Sequence, residues 1–126
     1  MTKFFISVAA MMAGLSVAGG AFASHALKER LSQRALEIFE TGSKYQMYHA
    51  LALLMVGLFL SRDDEITPTL LNASGWAFIV GVILFSGSLY ALSLSDIKWL
   101  GAITPLGGFA FLVGWGCLAI AAWSFK

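Results

Sequence analysis

Charge is what this chain has least of. Asp, Glu, Lys and Arg make up 12% of its 126 residues, against about a quarter in soluble domains, so the composition points to lipid as the solvent. The net charge is +1, with no basic stripe that could neutralise a run of phosphates, which argues against nucleic acid as a partner. A single cysteine, Cys117, excludes an intrachain disulfide and a thiolate metal framework. It lies deep in the last apolar stretch, where a thiol behaves as a small apolar side chain. Catalytic motifs are lacking too. There is no P-loop, H-E-x-x-H or C-x-x-C, and the Gly-x-Gly spacings fall inside apolar segments. No nucleophile, base and orienting group can be assembled, so neither enzymatic activity nor a cofactor is expected.

What is present is apolar length: 59% of the residues are hydrophobic and the mean hydropathy is +0.81. Four windows carry no charge at all: 4–27, 45–60, 66–95 and 99–125. A hydrocarbon core of about 30 Å needs about 20 helical residues. Three windows meet that outright, and the second does so by borrowing residues 41–44 while Lys44 snorkels to the interface. The expected fold is all-α, an antiparallel bundle of four transmembrane helices in one domain over 1–126, with spans at about 4–27, 44–60, 68–94 and 100–125. The first span resembles a signal peptide, with Lys3 ahead of an apolar run and Ala21-Phe22-Ala23 before Ser24. Its apolar run has the length of a span rather than of a short signal core, so a retained helix is expected.

Between the first two spans the pattern changes. Leu27, Leu31, Ala35 and Ile38 recur at helical spacing among Lys28, Glu29, Arg30, Arg34, Glu37 and Glu40. This predicts an amphipathic helix over about 28–41 lying in the interface, ended by Thr41-Gly42-Ser43 with Gly42 past its C-terminus. Glu40 and Lys44 read most simply as a surface pair. Thr67-Pro68 and Thr104-Pro105, which contain both prolines, read as cap-and-proline helix starts. Small residues, among them Gly14, Gly20, Ala73, Ala77, Gly81, Gly87 and Gly108, are the expected helix-packing positions, because they let backbones approach closely. Trp115, between two glycines, reads as packing or a depth marker.

Antiparallel helices bring the end of span one, the start of span two, the end of span three and the start of span four to one side of the membrane. Counting helical rise puts His25 about 3 Å and His49 about 10 Å inside that side, with Tyr90 about 6 Å and Ser86 about 12 Å deep. Tyr45, Gln46, Ser88 and Thr104 join the same half, whereas the opposite half offers only Asn72 and Ser74 among side chains of this kind. Three readings of this layer stay open. The groups satisfy one another across helix interfaces; or His25, Tyr45, Gln46 and His49, with Ser86, Tyr90 and Thr104 around them, hold a lipid headgroup, a quinone or a proton path; or the two histidines ligate a metal or haem.

The segments Gly20-Ala21-Phe22-Ala23-Ser24-His25-Ala26-Leu27, Phe39 to Leu53 through Gly42-Ser43-Lys44-Tyr45-Gln46-Met47-Tyr48-His49, Leu84 to Tyr90, and Ile103-Thr104-Pro105-Leu106-Gly107-Gly108 resemble the YgdD/YwdK family. These are small bacterial inner-membrane proteins filed as a domain of unknown function, with mitochondrial relatives. The resemblance covers nearly the whole chain. It departs at Ser24, where the family more often has glycine or alanine. It implies a four-helix inner-membrane protein that keeps its first helix, and brings no activity or catalytic residue. Lys and Arg counts, five on the polar side (Lys28, Arg30, Arg34, Lys44, Lys98) against three (Lys3, Arg62, Lys126), place that side in the cytoplasm. The expected role is non-enzymatic: a multi-pass scaffold or accessory subunit in the lipid bilayer that packs against itself or a larger membrane complex.

Overall fold

The computed structural model describes residues 1–62 and 68–125. Four long helices account for most of them: α1 (Thr2–Phe22), α2 (Gln33–Leu60), α3 (Pro68–Ser95) and α4 (Thr104–Ala122). A π-helical turn, Ala23–Leu27, extends α1, and a 3₁₀ turn, Lys98–Ala102, leads into α4. Consecutive helices pack on one another. Each pairing is antiparallel: Ser16 meets Ser43 and Met12 meets Gln46 between α1 and α2, Ser86 meets Gly42 between α3 and α2, and Ser74 meets Gly114 between α3 and α4. Three elements, Thr2–Leu27, Pro68–Ser95 and Lys98–Ala122, are long and apolar enough to cross a membrane. The fourth, α2, carries charges from Arg34 to Lys44 and none from Tyr45 to Leu60.

The boundary of α2 departs from the sequence expectation. Residues 28–32, expected to begin an amphipathic helix, are turn; the rest of that segment and the second span are one helix of 28 residues, started by Ser32, whose hydroxyl accepts from the Ala35 N–H at 3.1 Å. Gly42 does not end a helix; it lies buried in the middle of one. A Cβ there would stand 3.1 Å from the Tyr90 ring and 3.3 Å from Leu89. Its missing side chain admits α3 rather than breaking α2. Thr104 likewise does not cap α4, because its hydroxyl is hydrogen-bonded to that of Ser88 at 2.6 Å. Pro105 does sit in the first turn of α4, where its lack of an N–H is harmless. The cap expected at Thr67 lies outside the described residues.

The connection between α2 and α3, residues 63–67, also lies outside them, whereas that between α3 and α4 is described and tight. Asp96 adopts a left-handed conformation with φ 57°, and its N–H donates to the Leu92 carbonyl at 2.8 Å, which closes the C-terminus of α3.

The core is built from aromatic rings set over glycines. Phe5, Leu53, Val56, Leu71 and Phe78 are fully buried. The Phe5 ring covers Gly75, Phe111 covers Gly81, and the backbone of Phe85 lies against Gly107. Of the expected packing positions, Gly81 is used in this way. Gly20 and Gly108 make ordinary contacts with Ser43 and Phe85, and Ala77 is half-buried. Gly14, Ala73 and Gly87 are exposed, and a Cβ at Gly14 or Gly87 would meet nothing within 4 Å. Close packing inside the chain rests instead on Gly42, Gly57, Gly75, Gly107 and Gly114.

Candidate functional site

The polar layer expected from depth divides into two structures. The first is a seam along α2 facing α1 and α3. Ser16 and Ser43 exchange hydrogen bonds, each hydroxyl donating to the other's carbonyl, at 2.5 and 2.9 Å. One turn deeper, the Gln46 amide donates to the Met12 carbonyl at 2.7 Å and its oxygen accepts from the Tyr90 hydroxyl at 2.7 Å. Ser86 donates to the Gly42 carbonyl at 2.7 Å. These donors therefore tie α1, α2 and α3 together, and both ends of the Gln46 amide are occupied.

The second structure centres on His49, which is 5% exposed and points toward α4. Its ring lies flat on Phe111, with centroids 3.5 Å apart and planes within 6°. Nδ1 is 2.7 Å from the Tyr45 carbonyl, and Nε2 is 3.1 Å from the Trp115 indole nitrogen. A carbonyl only accepts and an indole N–H only donates. The imidazole is thus the neutral Nδ1–H tautomer, with both nitrogens engaged. Trp115, read from sequence as packing, is a hydrogen-bond partner of this site. Nothing local revealed it, since the two residues are 66 positions apart.

Beside this stack runs an open groove of about 700 Å³, bounded by Tyr45, Tyr48 and His49 on α2, by Phe85 on α3, and by a face of α4 from Pro105 to Trp115. On the other side of Tyr48, between α1 and α2, lies a second hollow of about 430 Å³ that Glu40, Lys44 and the two bonded serines border. Tyr48 lines both.

His25 is not part of either. It is exposed, in the π turn between buried Ala23 and Leu27. Two residues, or about half a turn, from each, it faces away from the side those neighbours bury. Among the described residues it shares no cavity with His49. So Tyr45 and His49 come together at the groove, Gln46, Tyr90 and Ser86 form the seam, Thr104 pairs with Ser88, and His25 stands alone.

The comparisons with known proteins agree with this architecture. Residues 19–108 match the profile of a family described as "Protein of unknown function (DUF423)". The chain is 44% identical over 123 residues to a UPF0382 membrane protein of Staphylococcus epidermidis, covering 98% of each. It is 45% identical over 123 residues to one from Staphylococcus aureus, again covering 98% of each. It is also 42% identical over 120 residues to the UPF0382 membrane protein YwdK of Bacillus subtilis, covering 95% of this chain and 96% of that one. No solved structure matches the chain.

Proposed function

The chain belongs to the DUF423 family of small membrane proteins, and from that premise we propose that it is a non-enzymatic subunit that works by helix association within the bilayer. The observation that carries this reading is the outer face of α1. Ser7, Ala10, Gly14, Ala18 and Ala21, spaced by three or four residues, are all exposed. They form one stripe, opposite the Phe5, Ala9 and Ser16 side that packs on the rest of the bundle. The most apolar window of Thr2–Leu27 is 17% buried, as is that of Lys98–Ala122, against 39% for Pro68–Ser95.

Lipid tails are as apolar as leucine, so association in a membrane comes from close backbone approach and dispersion rather than from hydrophobic burial. A stripe of side chains no larger than serine permits that approach and loses little rotamer freedom on docking. The polar seam supports the same reading. Its groups bond one another and so rigidify the element that presents the stripe.

The partner in this reading is a second copy of the chain or a helix of a larger membrane complex. The setting is the bacterial inner membrane, with the α1–α2 connection on the cytoplasmic side, where Lys28, Arg30 and Arg34 lie. The test is Gly14→Leu together with Ala18→Leu, read by the mass of the assembly extracted in native lipid. Loss of the higher-mass species supports the reading. A monomer at every concentration in the unsubstituted protein, with nothing co-purifying, overturns it.

A further inference from the structure

We propose that the surface of α2 from Glu40 to His49 is a binding site for a single phospholipid with an amine-bearing headgroup. This site lies on a different face of the bundle from the α1 stripe and does not depend on helix association.

Two hollows meet at Tyr48. The one between α1 and α2 is bordered by Glu40 and Lys44, one helical turn or about 6 Å apart along the axis. Both are exposed, and neither has a hydrogen-bond or ion-pair partner among the described residues. A carboxylate and an ammonium on neighbouring turns of one hollow complement a zwitterion, with the headgroup ammonium at Glu40 and the phosphate at Lys44. An anionic headgroup without an amine would meet Lys44 but be repelled by Glu40. A quaternary ammonium would meet Glu40 without an N–H to donate.

The second hollow suits the rest of such a molecule. Past Tyr48 the groove follows α4 from Pro105 to Trp115, ten residues or about 15 Å toward the middle of the bundle. Its walls are Phe109, Phe111, Leu112 and the faces of Tyr45 and Tyr48. His49 lines it too, but both its nitrogens are already engaged, so the groove presents ring surface rather than a polar hook. It fits an acyl chain. The charged hollow lies toward the start of α2, where headgroups lie, and the apolar groove runs inward from it, so one amphiphile from that leaflet spans both. Tyr48, 51% exposed, stands where its glycerol backbone would pass.

The experiment is native mass spectrometry of the full chain reconstituted in bilayers of equal parts phosphatidylethanolamine, phosphatidylglycerol and phosphatidylcholine. The expected result is one retained lipid, with phosphatidylethanolamine favoured about threefold over each of the other two, the factor a partly exposed ion pair supplies. Glu40→Gln abolishes that preference, and Lys44→Gln lowers retention of all three lipids. Both side chains are exposed and unpaired, so neither change disturbs the fold. Gly108→Leu, which fills the groove, removes the retained lipid. Retained lipid in bulk proportion, a preference that survives Glu40→Gln, or retention unaffected by Gly108→Leu overturns the proposal.

Discussion

The indole N–H of Trp115 on α4 donates to Nε2 of His49 on α2 across 3.1 Å, while Phe111, one turn before Trp115, lies flat against the same imidazole. This stack joins α4 to α2, and the Phe78 ring of α3 lies against both His49 and Trp115. Replacing Trp115 with Phe keeps an aromatic ring but removes the donor. The expected loss is about 1 kcal/mol, the range of interhelical hydrogen bonds in membrane proteins. A double-mutant cycle of W115F with His49→Phe checks it. A coupling energy near zero means that the bond contributes nothing.

Gln46 spends both ends of its amide, on the Met12 carbonyl and on the Tyr90 hydroxyl. Gln46→Leu leaves that hydroxyl without its partner and is expected to destabilise by about 1–2 kcal/mol. Adding Tyr90→Phe to the Gln46→Leu variant recovers part of that loss. Thermal unfolding in detergent of the two single variants and the double reads the difference.

The glycines sort by what faces them. At Gly107 a Cβ would stand 2.7 Å from the Phe85 Cα. Backbone atoms cannot rotate aside, so Gly107→Ala forces α3 and α4 apart and should cost about 3 kcal/mol or more. At Gly87 a Cβ meets open space, and Gly87→Ala changes stability by no more than about 1 kcal/mol, in the favourable direction. Melting temperatures of the two variants should move in opposite directions.

Asp96 holds a left-handed backbone conformation at the end of α3, which strains any residue with a Cβ. Asp96→Gly is expected to raise stability by up to about 1 kcal/mol. A fall in the unfolding midpoint would show that the aspartate side chain contributes more than its strain.

Much of the fold was legible because charge-free windows in a membrane chain answer a single physical demand, that of spanning about 30 Å of hydrocarbon. The windows at 4–27, 66–95 and 99–125 correspond to α1, α3 and α4. The start of α2 was not legible. Gly42 carries the local signature of a helix stop, and only the Tyr90 ring packed against it, 48 residues away, reveals that it is a notch. The candidate site was legible in depth but not in direction. Helical rise puts His25, Gln46 and His49 in one half of the membrane, yet the three face different ways: His25 outward, Gln46 toward α1 and α3, His49 toward α4. Trp115 joined the site through a tertiary contact that no local pattern encodes.

Helix association in this protein rests on the exposed stripe Ser7, Ala10, Gly14, Ala18 and Ala21 of α1. Native mass spectrometry of the chain released directly from its membrane, with and without Gly14→Leu, tests it most directly. The expected species is an assembly heavier than the 13.5 kDa chain with its lipid that collapses to that mass in the variant. A 13.5 kDa species alone in both samples, or an assembly that Gly14→Leu leaves intact, would contradict it.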